Sequence, residues 1–399
     1  MVKISLLSDC HLGYKSGKKT NEEQVNIREQ DGYNAFKECI DGIIKEKSDY
    51  LIIAGDLFHS PSPSVRTITE TKKQLERLNK YGIETYIITG NHDTSDINYD
   101  ISASVIMNCE GMNIYSYQEP LVIKDLKENI RLYLISHQKM KEQDKTFDKI
   151  NLDDNYVNIL VTHGSCFDSN LNQILHSSLE PREVVIPEKV LNMNWDYVLM
   201  GHIHTRGWVH SKDGISDTAN RKQFYGGSLL RRGFTDSEGK LGRGWTTFSI
   251  NDKNIEIEMH SIKERPQFDI HFQYKGSIEE LNQEIHDKMK SLSEYDMPIV
   301  RINIHNVNNV DKKNIDTQRF REYTDNFLTF SIKYLENEDN KQNNTLDISY
   351  DLSNNDILSD FKNFWDSEND KIDKNIREDT KSKSKEYIKK GIENINKKE

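Results

Sequence analysis

Hydrophobic positions near the start of the chain fall into short unbroken runs separated by segments in which they recur every three or four residues. Residues 2–8 form the first run and read as a short strand. Across residues 28–47, Tyr33, Phe36, Ile40, Ile43 and Ile44 keep helical spacing. Residues 50–54 are continuously apolar, as a strand covered on both faces should be. A second helix is predicted over residues 64–81, ended by Gly82, and a third strand over 85–88. Strand–helix–strand–helix–strand implies right-handed parallel crossovers and an α/β layered core. From about residue 113 to 136 the pattern changes to strands with short turns, and residues 157–162 and 197–200 are further apolar runs. Residues 207–210, 223–225, 245–250 and 255–260 read as mainly antiparallel strands. After Arg265-Pro266, residues 267–335 read strand, helix (278–292), strand (299–304), helix, strand (327–335), which suggests a small separate α+β domain.

The tail differs in kind. Residues 336–355 are acidic and rich in Asn and read as a linker. Ile357, Leu358, Phe361, Phe364 and Trp365 then form one wide apolar helical stripe, and Ile388, Ile392 and Ile395 repeat the spacing in a last helix. Such stripes either pack on the protein itself or dock into a partner's groove.

The whole chain of 399 residues carries a net charge of −11, which does not advertise a nucleic-acid binder. The excess is local, however: residues 336–370 have a net charge of −8 and residues 263–335 only −1, so the total describes no single surface. No run approaches the ~18 apolar residues of a membrane span, and the N-terminus meets Asp9 too early for a secretory signal. The expectation is an intracellular protein, cytoplasmic or nucleoid-associated. Cys10, Cys39, Cys109 and Cys166 form no C-x-x-C pair, so neither a zinc ribbon nor a disulfide framework is expected, and reduced, mostly buried thiols are.

The apolar runs share one property: each ends in residues that bind metals. Asp9-Cys10-His11, Gly55-Asp56-Leu57-Phe58-His59, Gly90-Asn91-His92-Asp93, Thr162-His163-Gly164 and Gly201-His202-Ile203-His204 follow five of them. Ligands of open α/β sheets bind at the carboxyl ends of the strands. Carboxylates, an amide oxygen and imidazoles without thiolates suit Mn²⁺, Fe²⁺ or Zn²⁺ in a reactive site rather than a structural zinc. On an extended strand end, i and i+2 point the same way, so D-x-H and H-x-H each present two ligands. The glycines before Asp56, Asn91 and His202 are expected to let the backbone turn sharply. His137, His176, His210 and His260 sit in no such pattern and read as ordinary histidines.

In this order, D-x-H, G-D-x-x-H, G-N-H-D, T-H and G-H-x-H resemble the calcineurin-like metallophosphoesterases. More narrowly, Asp9-Cys10-His11-Leu12-Gly13, Gly55 to His59 and Tyr225-Gly226-Gly227-Ser228-Leu229 resemble the SbcD-type DNA repair nucleases. Cys10 departs from the aromatic residue common there, which bears on packing beside the first metal. The resemblance implies an α/β fold with a four-layer α/β/β/α nuclease domain over residues 1–262, a small α+β DNA-capping domain over 263–335, an acidic linker over 336–355 and a helical partner-binding tail over 356–399. It implies two Mn²⁺ ions, with Mg²⁺ or Fe²⁺ as substitutes. Asp9, His11, Asp56 and His204 are expected to hold the first and Asp56, Asn91, His163 and His202 the second. His92, beside the ligand set, is the expected general acid, and His59 is expected to support it or touch phosphate.

DNA is the expected substrate because basic loops surround these motifs: Lys15, Lys18 and Lys19 after the first, Arg206 after the last, and Arg231 and Arg232 after the Gly-Gly-Ser turn. The resemblance adds a homodimer through the nuclease domain and an SbcC-type SMC-like ATPase bound by the tail, in a complex with exonuclease and endonuclease activity. Two alternatives stay open: a stand-alone phosphodiesterase for small molecules, and a DNA-end clamp without catalysis.

Overall fold

In a computed structural model of the chain, the residues described are 1–94, 101–108, 111–119, 121–137, 147, 150–166, 185–210, 214–216, 222–234, 242–308 and 310–335. They lie within the unit Met1–Glu336. The tail stripes, the acidic segment 336–355, Cys109 and His176 fall outside them.

The first half runs β1 (Val2–Leu7), α1 (Ile27–Lys45), β2 (Tyr50–Ala54), α2 (Val65–Lys80), β3 (Glu84–Ile88), β4 (Ile114–Tyr117), β5 (Val122–Leu126), β6 (Ile130–Ile135) and β7 (Val157–His163). After the short pair β8 (Ser165–Cys166) and β9 (Val185–Ile186) and the one-turn α3 (Glu188–Leu191) come β10 (Tyr197–Gly201), β11 (Gly207–His210), β12 (Gly214–Ser216) and β13 (Gln223–Tyr225). β14 (Gly244–Asn251) and β15 (Asn254–Ser261) close this part. The helix boundaries follow from caps. The Asn26 side chain accepts from the amides of Arg28 and Glu29 at the start of α1, and Ser64 accepts from Thr67 at the start of α2.

Two sheets carry the core. One has the order β15-β14-β1-β2-β3-β4, with β1 to β4 parallel, and the other β12-β11-β13-β10-β7-β6-β5. Alternation along the strands explains the layering. Ile4, Leu6, Ile52 and Ala54 face Leu132, Leu134, Ile159 and Val161 of the other sheet. Leu51, Ile53 and Ile87 face Phe36, Ile40, Leu75 and Leu78 on α1 and α2. On the far side Tyr133, Leu160 and Met200 meet Val190, Leu191 and Trp195. The result is helix, sheet, sheet, helix, with each fully buried aliphatic side chain contributing roughly 1.5–3 kcal/mol. The late strands are mainly antiparallel; the exception is β13, parallel to β10.

Residues 267–335 form β16 (Gln267–Gln273), α4 (Ile278–Leu292), β17 (Ile299–His305), α5 (Thr317–Thr324) and β18 (Thr329–Leu335), a parallel sheet in the order β16-β17-β18. Leu281, Ile285 and Met289 of α4 and Phe320 of α5 pack with Phe272, Ile302 and Ile304. This sheet leans on α1: Arg265 clamps Asp31 with two hydrogen bonds of 2.7 and 2.8 Å, and Ile27 packs with Ile299 and Leu328. Among the described residues no helix is long and apolar enough to cross a membrane. Cys10, Cys39 and Cys166 are free and buried. Cys10 packs among Leu7, Leu12 and Cys39 in the layer under α1.

Candidate metal centre

β1, β2, β3, β7 and β10 all end at one edge of the two sheets. The loops after β1 and β2 run side by side there: the amides of Asp9, His11 and Leu12 donate to the carbonyls of Gly55, Asp56 and Leu57 at 3.1, 2.9 and 3.0 Å. Asp9, His11 and Asp56 have φ of 47°, 44° and 51°, and His202 has 99°. The expectation that D-x-H works through the strand pleat is therefore corrected. Both side chains converge because their backbones sit in the left-handed region, which costs non-glycine residues of order 1–3 kcal/mol and is held by surrounding contacts. The glycine expectation holds at Gly55, whose φ is 84°, and changes at the other two. Gly90 and Gly201 are needed for space, not for a turn: a Cβ on Gly90 would fall on Asp56 Oδ1, and one on Gly201 on the Ala54 carbonyl.

The donor atoms face one another in two groups. His11 Nε2 lies 3.2 Å from His204 Nε2 and 3.6 Å from Asp56 Oδ2, and His204 Nε2 lies 3.9 Å from Asp9 Oδ1. In the second group His163 Nε2 is 2.9 Å from Asn91 Oδ1 and 3.5 Å from Asp56 Oδ2, and His202 Nδ1 is 3.2 Å from Asn91 Oδ1. Asp56 Oδ2 thus belongs to both groups, while its Oδ1 accepts the His92 amide at 2.8 Å. Two ligands at right angles on an ion with bonds of about 2.1 Å sit about 3 Å apart, so these separations suit divalent cations. His163 adds a second sign: its Nδ1 donates to the Ala54 carbonyl at 2.9 Å, which turns Nε2 toward Asn91 and Asp56.

Protonation follows the same geometry. Burial would raise Asp56, but His163 and His11 beside it hold its carboxyl well below the usual range. Burial would lower His163, yet Asp56 and Asp9 push it up to about 9. Burial, with His163 nearby, brings His202 down to about 3. Burial and the Arg232 guanidinium keep His11 well below the ordinary imidazole value. Asp9, fully buried, is raised.

His92 stacks on His59 at 5.2 Å and meets His11 edge-on at 4.7 Å, with Nδ1 donating to the His59 carbonyl at 3.0 Å. His59 lies edge-on to Tyr14 at 5.0 Å. Three residues around the centre were given no role from the sequence: Asp93, His137 and Arg243. Asp93 accepts from the amides of Leu57, Phe58 and Gly90 at 3.2, 2.9 and 3.0 Å, tying the loops after β2 and β3 together; burial and Asp56 push it up to about 7. His137, read as ordinary, is buried 5.9 Å from the His163 ring. It lies two residues past the end of β6, as the candidate ligands follow their strands. Arg243, 1% exposed, donates to the carbonyls of His204 and Ser228. No sequence pattern marks it.

The basic residues separate. Arg206 is 3% exposed and donates to the carbonyls of Trp245 and His260 and to Ser261 Oγ. The expected DNA contact is corrected there: its guanidinium pins β14 to the end of β15 and offers no surface. Lys19 Nζ donates to the carbonyls of Asp325 and Phe327 at 2.5 and 2.7 Å, so it joins the small sheet to the first motif. Lys15 pairs with Glu29 at 3.5 Å, and Lys18 is exposed. Arg231 pairs with Glu264 at 3.4 Å, and Arg232 reaches the centre itself, its Nη2 2.8 Å from His204 Nε2.

The calcineurin-like phosphoesterase model matches residues 2–206. A DNA double-strand break repair protein Mre11 from Thermoplasma acidophilum is 27% identical over 315 residues, covering 75% of this chain and 75% of that protein. The protein of that name from Methanococcus maripaludis is 26% identical over 301 residues, 72% of this chain and 75% of its own. The one from Sulfolobus acidocaldarius is 24% identical over 404 residues, 97% and 98% of the two chains.

Proposed function

The chain belongs to the calcineurin-like phosphoesterase family, and from that premise we propose that it is the nuclease subunit of a DNA end-processing and repair complex. Its enzyme class is a metal-dependent phosphoesterase. The observation that carries the finer reading is the convergence of Asp9, His11, Asp56, Asn91, His163, His202 and His204 on the two sides of Asp56 Oδ2. Asp9, His11, Asp56 and His204 would hold one divalent cation and Asp56, Asn91, His163 and His202 the other, with Mn²⁺ as the proposed ion. A pair of such ions supplies an acidified water and withdraws charge from phosphoryl oxygens.

The protein's own groups supply the rest. His92 is held beside the centre by its amide on Asp56 and by Nδ1–H on the His59 carbonyl. That carbonyl fixes the ring with Nε2 turned away from it, and Nε2 is proposed to deliver a proton to the leaving alkoxide. His59 acts as a positioning residue. Arg232 at the centre and the exposed Lys15 and Lys18 that follow the first motif in the chain are proposed to favour a polyanion. The small sheet of residues 263–335 is proposed to cap DNA beside that approach. The tail 356–399 is proposed to bind an SMC-like ATPase, and a second copy to pair through the nuclease domain.

A substrate panel tests this reading. With Mn²⁺ the full chain should degrade linear duplex DNA faster than bis-p-nitrophenyl phosphate. Hydrolysis of the small diester with no cut in duplex or single-stranded DNA would favour a small-molecule phosphodiesterase. DNA binding without any hydrolysis would favour a clamp.

A further inference from the structure

The guanidinium of Arg232 stands where a cation is needed. Its Nη2 is 2.8 Å from His204 Nε2, and that nitrogen faces His11 Nε2 at 3.2 Å. A guanidinium only donates and stays charged, so it must use the His204 lone pair that a metal would take. The two occupants are mutually exclusive.

The backbone around Arg232 is anchored on both sides. Arg28 Nη2 donates to the Arg231 carbonyl at 2.7 Å, Gln267 donates to the Gly233 carbonyl, and the Arg301 guanidinium lies 4.3 Å over the Phe234 ring. Arg28 belongs to α1, whereas Gln267 and Arg301 belong to β16 and β17. With the backbone held on both sides, a cation seated on His204 would move the Arg232 side chain rather than the loop.

We propose that Arg232 has two positions: on His204 when the first seat lacks its ion, and on the phosphate oxygens of the substrate once the ion displaces it. The inference rests on the two-cation reading above and adds a residue that touches substrate. In the first position the guanidinium donates to His204 Nε2, the nitrogen proposed to hold the first ion. In the second it offers a planar pair of donors to the charge that builds on the phosphoryl group. The small sheet, through Gln267 and Arg301, fixes the pivot of this movement.

Calorimetric titration of the full chain with MnCl₂ tests the proposal in wild type, Arg232→Gln and Arg232→Lys, followed by steady-state cleavage of linear duplex at saturating Mn²⁺. If the arginine holds the seat in about nine molecules of ten, Arg232→Gln tightens the weaker Mn²⁺ step about tenfold, and Arg232→Lys, which keeps the charge, tightens it less. The KM for duplex rises about 10–100-fold in Arg232→Gln, the scale of a lost charge-assisted hydrogen bond. Unchanged or weaker Mn²⁺ binding in Arg232→Gln overturns the proposal, as does equal tightening by Gln and Lys or an unchanged KM. A wild-type chain that takes up fewer than two Mn²⁺ ions overturns the two-cation reading itself and this inference with it.

Discussion

His92 and Asp56 share one contact, the His92 amide on Asp56 Oδ1, and are expected to fail differently. His92→Ala should retain both Mn²⁺ ions and DNA binding while cleavage falls about 10²–10⁴-fold, the usual worth of a general acid. Loss of both ions in that variant would make His92 a ligand instead. Asp56→Asn should abolish cleavage and lower occupancy in both seats, because the same Oδ2 faces His11 and His163 at 3.6 and 3.5 Å. Metal analysis returning two full ions per chain would contradict the shared oxygen. The proposed ligands were legible because carboxylates and imidazoles at strand ends have few other reasons to recur. Asp93 and Arg243 were not: one binds three amides and the other carbonyl oxygens, and backbone partners leave no trace in side-chain spacing.

At the scale of strands and loops, the centre depends on tight approaches at Gly90 and Gly201. A Cβ at Gly90 would fall on Asp56 Oδ1, and the loop after β3 would have to back away from the loop after β2. Gly90→Ala is therefore expected to lower unfolding free energy by about 1–3 kcal/mol, as overpacking does, and to weaken Mn²⁺ binding. Denaturant titration and calorimetry check both, and wild-type values in each would show that the loops have slack. The elements themselves were readable from periodicity. The predicted helices over 28–47 and 64–81 fall on α1 and α2 to within two residues at either end, because Asn26 and Ser64 are side-chain caps. The left-handed backbone of Asp9, His11 and Asp56 was not readable, since these residue types adopt it only where neighbouring loops enforce it.

For the whole molecule, cation binding and stability are linked, because ions held by the folded centre are not held by the unfolded chain. Mn²⁺ at about 100 times its dissociation constant should stabilise the fold by about 2.7 kcal/mol per site. A melting temperature indifferent to chelation would argue that the donors serve the fold alone. Removing residues 346–399 should leave Mn²⁺-dependent cleavage intact and abolish association with an SMC-like ATPase, since every donor lies at or before His204 and the apolar stripe of Ile357, Leu358, Phe361, Phe364 and Trp365 is removed. Co-purification at full-length yield would refute the docking role. Two cations flanking Asp56 would be visible in anomalous diffraction from Mn²⁺-loaded crystals. The expected map has two peaks about 3.5–4 Å apart, one among Asp9, His11, Asp56 and His204 and the other among Asp56, Asn91, His163 and His202. A single peak, or two that do not share Asp56, would contradict it.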